Sequence, residues 1–278
     1  MITKHPLTVD LHSHSTCSDG ALAPADLVAE AAKRGIGTLA LTDHDTVAGL
    51  DEAEAAAATH GITLVAGVEI TCECAGTEIH VLGLGIDRRN SALLSLCDEI
   101  QTKRRDRFYE MVELLRRAGV PLSTESVPDG MSLARPMLAR LLVQQGHANG
   151  YNDAFERYLR KGGPAYLPHR RTPIQRALGA IHAAGGVASV AHPGLYRNGD
   201  DVIHEAAQLG IDAIECYHSD HRHDVQEHFI ARARKLSLLV TGGADYHGPE
   251  HARSVMFGKR SLPTDHWEKL APRVGAGT

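Results

Sequence analysis

The chain of 278 residues is poor in aromatics, at 4%. Its five cysteines (Cys17, Cys72, Cys74, Cys97 and Cys216) are odd in number and contain no CxxC pair. That argues against a disulfide framework and for a reducing compartment. No run of 18 apolar residues occurs, so neither a membrane span nor a membrane partner is expected. The opening MITKHPLTVDLHSH has no apolar stretch of signal-peptide length, which makes a cytoplasmic location the expectation. Positive charge is not in excess either. Lys plus Arg number 29 against 34 Asp plus Glu, a net charge of −5. This excludes a dedicated binder of duplex DNA but leaves room for a small anionic substrate. What the chain does have is histidine, 18 residues of it. So many imidazoles in a chain short of aromatics point to chemistry rather than packing.

The first 86 residues alternate strand-like and helix-like segments. LTVDLH, GTLALTDHD, ITLVAGVEITC and TEIHVLGLGID read as strands from their β-branched, apolar runs. PADLVAEAAKRG reads as a helix that starts near Pro24 and stops at Gly35, and TVAGLDEAEAAAATHG as a second. The rhythm resumes with PIQRALGAIHAAGG, GVASVAH, DDVIHEAAQLG, DAIECYH, VQEHFIARARKLS and LLVTGGADYHG. Seven strands alternating with helices predict an α/β fold with a parallel sheet, open or closed. Between the two halves lies a helical stretch, 99–165, with 11 Lys/Arg and 8 Asp/Glu. A segment of +3 in a remainder of −8 marks an insert. The expected division is a barrel made of 1–98 and 166–278, with 99–165 as a helical insert that serves as a substrate lid.

Ligand-type side chains mark the strand ends. Strand one leads to His12, His14 and Asp19, strand two to His44, and strand three to Glu69. Strand four carries His80 near its start, strand five leads to His192, strand six to His218, and strand seven to Asp245 and His247. Alternate residues of an extended chain face the same way, so His12 and His14 share a side, as do Asp245 and His247. In a barrel these ends converge on the face where active sites are built. Imidazoles with carboxylates and no thiolates suit Zn, Mn or Fe. A null arrangement would scatter such residues over both barrel ends and the helices.

The segments DLHSHSTCSDG, LALTDHDT, AGVEIT, EIHVLGLGID, VASVAHPG and TGGADYHG, in this order, resemble the PHP (polymerase and histidinol phosphatase) family. The resemblance implies a distorted (β/α)7 barrel with a helical insert and a site for two or three divalent metal ions. Carried over by position, it implies one metal at His12, His14, Glu69 and Asp245. A second falls to Glu69, His80 and His192, and a third to Asp19, His44 and His247. Asp19 stands where several relatives have His, which shifts the expected preference of the third site toward Mn or Mg; for the site as a whole Mn is the expected metal, with Zn, Fe or Mg as alternatives. Within the family, the insert and ARPMLARLLVQQG through VASVAHPG resemble the small phosphoesterase branch. That branch includes a 3′,5′-nucleoside bisphosphate phosphatase and an enzyme acting on 5′-phosphorylated RNA.

The implied reaction is hydrolysis of a nucleotide phosphomonoester, the 3′-phosphate of a 3′,5′-nucleoside bisphosphate, by a metal-bridging hydroxide. Glu69 and Asp245 are the carboxylates expected to matter most, and His221 is a candidate acid for the leaving oxygen. Arg135, Arg170 and Arg171, whose guanidinium groups suit bidentate phosphate contact, are candidate substrate residues together with His218. Three readings stay open beside it. One is a 5′–3′ exonuclease on short 5′-phosphorylated RNA. Another is a metal-dependent amidohydrolase, which also places His and Asp on strand ends. The last is a non-catalytic metal-binding domain.

Overall fold

The computed structural model describes residues 8–125, 127, 133, 135–168 and 171–276. Arg170, one of the expected phosphate ligands, lies outside the described residues. The chain forms two compact units, Met1–Cys97 with Arg171–Thr278 and, between them in sequence, Asp98–Arg170.

The first unit is built on a seven-stranded sheet in sequence order. Its strands are β1 (Thr8–Asp10), β2 (Ile36–Leu41), β3 (Thr63–Cys74), β4 (Thr77–Leu84), β5 (Val187–Val190), β6 (Ala213–His218) and β7 (Leu239–Gly243). Helices α1 (Pro24–Lys33) and α2 (Leu50–His60) connect the first three strands. α1 has Pro24 in its first turn, where the missing N–H costs nothing, and buries Leu27, Val28 and Ala31 along one stripe. α2 stops at Gly61, whose φ of +67° closes the helix in the left-handed region.

β1–β2–β3 and β5–β6–β7 are parallel, but β4 is antiparallel to both its neighbours. The all-parallel expectation is therefore corrected at one strand. The cause is the connection: Cys74 and Thr77 pair across the two residues Ala75 and Gly76, at φ +50° and +69°. Two consecutive positive φ values make the tight turn of a hairpin, and two residues cannot carry a crossover. Among the described residues, no β1–β7 ladder closes the sheet. Single contacts tie its edges instead: Leu11 N–H to Gly242 O at 3.1 Å, His14 N–H to Tyr246 O at 2.9 Å, and a parallel bridge from Ser13 to Tyr246. This approach needs glycine at 243, since a Cβ there would lie 2.4 Å from His12 N.

The second unit begins within α3 (Ser91–Arg117), whose polar stretch Gln101–Arg107 separates two apolar segments. Phe108, Met111 and Leu115 of its second half join Leu138, Ala139 and Leu142 of α4 (Arg135–Gln144) in a separate core. Short helix α5 (Tyr151–Ala154) continues as a π-helical turn, Phe155–Leu159, which adds Tyr158 and Leu159 to that core.

Returning to the first unit, α6 (Ile174–Ala183), α7 (Gly199–Gln208) and α8 (His223–Leu236) resume the alternation, and α9 (Thr264–Leu270) follows β7. Among the described residues, no helix is long and apolar enough to cross a membrane.

Candidate metal centre

Just past β1, Ser13 spends its side chain sideways, its hydroxyl donating to Ala40 O at 2.7 Å. The alternation of an extended chain then turns His12 and His14, both fully buried, to the opposite side. The following loop is held by Asp43, which accepts Ser15 N–H at 2.7 Å and the Ser15 and Ser18 hydroxyls at 2.6 Å each. That network sets the position of Asp19, the most exposed member of the site. The reversed direction of β4 explains His80. A residue near the start of an antiparallel strand reaches the same end of the sheet as residues that follow the parallel strands. Glu69 does not end its strand, as the sequence suggested. β3 runs on to Cys74 as one arm of the hairpin, and Glu69 faces inward from its middle.

Two carboxylates are the hubs. Glu69 Oε2 lies 3.3 Å from His12 Nε2, 3.3 Å from His14 Nε2 and 3.0 Å from His44 Nδ1. Its Oε1 lies 3.0 Å from His80 Nδ1 and 3.2 Å from His192 Nε2. Asp245 Oδ1 lies 3.4 Å from His12 Nε2, 3.1 Å from His14 Nε2 and 3.4 Å from His247 Nδ1. Asp19 reaches His247 Nε2 at 3.2 Å and His44 Nε2 at 3.8 Å. All nine residues fall into overlapping groups whose ligand-type atoms lie within 4.8 Å of one another. These groups are His14/Asp19/His44/His247, His12/Glu69/His192, His12/His14/Asp245 and His44/Glu69/His80.

The donor set fits divalent cations on a point independent of spacing. The buried atoms His12 Nε2, both ring nitrogens of His14, His44 Nδ1 and Glu69 Oε2 have no hydrogen-bond partner. Unpaired buried polar atoms are costly and uncommon, and a cation shared among lone pairs is what such a constellation accommodates. The electrostatics agree. Burial opposes ionisation of Glu69, yet the imidazoles of His44, His12 and His80 outweigh it and hold the carboxyl well below its usual range. His14 is pushed up to about 10 against its burial by Asp245 and Glu69. Burial takes His44 the other way, down to about 3, in spite of Glu69 and Asp19.

Backbone conformation is unusual here. Asp45, His192 and Asp245 adopt φ of +53°, +32° and +52°. Non-glycine residues in this region cost of order 1 kcal/mol or more and cluster where function over-determines the backbone.

Two of the expected residues, His218 and His221, have both ring nitrogens in hydrogen bonds. His218 is fully buried; its Nδ1 accepts Asp220 N–H at 3.1 Å and its Nε2 donates to Asp245 Oδ2 at 3.2 Å. Both nitrogens are committed, so the ring orients Asp245, and contact with substrate would require one of these bonds to be given up. His221 donates from Nδ1 to Cys216 O at 2.9 Å and accepts Gly194 N–H on Nε2 at 3.1 Å. Burial lowers its pKa further. With its Nδ1 proton donated to main chain and its Nε2 accepting from it, the ring braces the turn after His192, and service as an acid would require one of these bonds to be given up. Arg171 is held by Glu73 at 3.2 Å and Glu78 at 3.4 Å on the β3–β4 hairpin. Arg135 stands at the start of α4, its guanidinium 6.0 Å from the Phe155 ring centroid.

Sequence reasoning missed Glu215 and Arg253. Glu215 is fully buried; its Oε1 accepts from His12 Nδ1 and its Oε2 from His192 N–H. A charged residue between Ile214 and Cys216, both buried, was its available signal. Arg253 contacts Asp245 from the short helical turn Ala252–Met256, and no local pattern announces it.

A barrel-like α/β sheet with a histidine–carboxylate cluster gathered at one end is the arrangement of a metal-dependent hydrolase. Residues 10–161 match the PHP domain, and the chain belongs to the PHP domain family as a metal-dependent phosphoesterase. It is 37% identical to a 5′–3′ exoribonuclease of Haemophilus influenzae, over 94% of this chain and 98% of the relative. It is 34% identical to a 3′,5′-nucleoside bisphosphate phosphatase of Chromobacterium violaceum, over 96% and 97%. A protein of Bifidobacterium adolescentis assigned as a metal-dependent phosphoesterase superposes with a TM-score of 0.83 at 29% identity, covering 97% of both chains.

Proposed function

We propose that the chain removes the 3′-phosphate of a 3′,5′-nucleoside bisphosphate, using two or three divalent ions, with Mn as the expected metal. The observation that carries this reading is the convergence of six imidazoles and three carboxylates on the hubs Glu69 and Asp245. His12, His14, Glu69 and Asp245 would hold one ion, Glu69, His80 and His192 a second, and Asp19, His44 and His247 a third. When bound, such ions supply an activated water and neutralise phosphoryl oxygens. The chain's own groups do the rest. Glu215 keeps the His12 Nδ1 proton on the outer side of the ring, so that Nε2 faces the cluster as a lone pair. His218 fixes Asp245 through Oδ2 and leaves Oδ1 toward His12, His14 and His247. Arg135 and Arg171 are the proposed contacts to the phosphate that is not cleaved, and the helical insert 99–165 the proposed substrate lid.

A second reading, 5′–3′ hydrolysis of short 5′-phosphorylated RNA, is favoured by the similarity to the Haemophilus influenzae exoribonuclease over nearly the whole of both chains. One experiment separates the two: phosphate and nucleotide release by the Mn-loaded protein from 3′,5′-bisphosphates, mononucleotides, short 5′-phosphorylated RNA and histidinol phosphate. Phosphate release fastest from the bisphosphate supports the first reading. Release of mononucleotides from RNA with no bisphosphate turnover overturns it in favour of the second.

A further inference from the structure

Arg253 presents two edges to two different carboxylates. Its Nε and Nη2 both bind Asp220 Oδ2, at 2.8 and 2.7 Å. Its Nη1 donates to Asp245 Oδ2. The same Oδ2 already receives His218 Nε2, so Asp245 does not depend on the arginine for a donor to steady it. The side chains differ in access as well: His218 is fully buried, whereas Arg253 is 20% exposed and its anchor Asp220 43%. A guanidinium whose Nε/Nη2 edge is tethered at the rim, and whose Nη1 reaches a doubly served oxygen, can release that oxygen and stay in place. Its planar fork matches phosphoryl oxygens better than an ammonium would.

We propose that Arg253 is a substrate-contacting residue: tethered by Asp220, it exchanges Asp245 Oδ2 for an oxygen of the phosphoryl group that is hydrolysed. This rests on the phosphoesterase reading and extends it, because Arg135 and Arg171 were assigned to the other phosphate. Inorganic phosphate is the probe, its binding to the metal-loaded protein measured by calorimetry and its inhibition of aryl phosphate hydrolysis measured alongside. In Arg253→Ala, phosphate should bind roughly 10- to 100-fold more weakly, the scale of one lost charge-assisted contact, with the metal content per chain unchanged. Arg253→Lys should recover part of that loss, since it keeps the charge and loses the fork. Asp220→Asn should fall between wild type and Arg253→Ala. Unaltered phosphate binding in a fully metal-loaded Arg253→Ala protein would overturn the proposal. So would loss of metal in that variant, which would make Arg253 a positioning residue for Asp245. If Arg253→Ala does not fold, Arg253→Lys and Asp220→Asn decide by the same two readouts. Wild-type protein that carries metal but neither binds phosphate nor releases it from any ester overturns the phosphoesterase reading itself, a result distinct from the others.

Discussion

Glu215 Oε1 accepts a hydrogen bond from His12 Nδ1 at 3.0 Å while its Oε2 accepts His192 N–H at 2.7 Å, so one buried carboxylate from β6 ties together two proposed metal-holding segments. Both contacts need an acceptor, and glutamine offers one acceptor and one donor. Glu215→Gln must therefore leave His192 N–H facing an N–H group or let His12 take the wrong tautomer. Outer-shell changes of this kind cost about 10- to 100-fold in metal affinity. Metal titration of the stripped variant should show that loss, with secondary structure by circular dichroism unchanged. Wild-type affinity would show that His12 does not need the carboxylate.

Asp245 and Glu69 should matter more than His80 or Asp19, because each hub carboxylate faces several imidazoles at once. Asp245→Asn keeps the shape and removes the charge. Turnover should fall by at least ~100-fold, the scale of losing a key electrostatic group, while His80→Ala and Asp19→Ala fall by less. Near-normal turnover in Asp245→Asn would refute the hub assignment.

The nine-residue cluster was legible in the sequence because ligand-type residues recur at strand ends, and strand ends are recognisable from apolar runs. What the one-dimensional rhythm concealed was direction. The Ala75–Gly76 turn reverses β4, and only that reversal explains why His80 sits near a strand's start. The hydrogen bonds that hold His218 and His221 were hidden for a different reason. Nearness to a strand end says nothing about whether both ring nitrogens already have partners, as they do here: Asp220 N–H and the Asp245 carboxylate for His218, Cys216 O and Gly194 N–H for His221. Arg253 was invisible because its meaning lies in partners 8 and 33 positions away, a tertiary fact that no periodicity encodes.

Metal removal should destabilise the fold. The cluster's unpaired buried atoms gain partners when an ion binds, and a ligand that binds only the native state at 100 times its Kd contributes about 2.7 kcal/mol. For a chain of this size that corresponds to a Tm lower by roughly 5–10 °C in chelator than with saturating Mn. Scanning calorimetry with and without chelator checks this, and adding Mn back should restore the higher value. Identical transitions would mean that the cluster holds no ion with appreciable affinity.

The insert should choose the substrate without doing the chemistry. Its +3 charge in a chain of net −5 favours an anion, and Arg135 opens α4 with its guanidinium over the Phe155 ring. If Arg135 meets the phosphate that is not cleaved, Arg135→Ala should lower kcat/KM for a 3′,5′-bisphosphate by ~10- to 150-fold, corresponding to about 1.5–3 kcal/mol for a charge-assisted contact. An aryl phosphate has no second phosphate, so its kcat/KM should hardly change. The lost cation–π contact costs only about 0.5–1 kcal/mol of local stability, which a thermal scan of the variant separates from the substrate effect. Equal losses on both substrates would place Arg135 in service of the fold instead. A loss on the bisphosphate alone, with wild-type metal content, is the result that assigns this arginine to substrate selection.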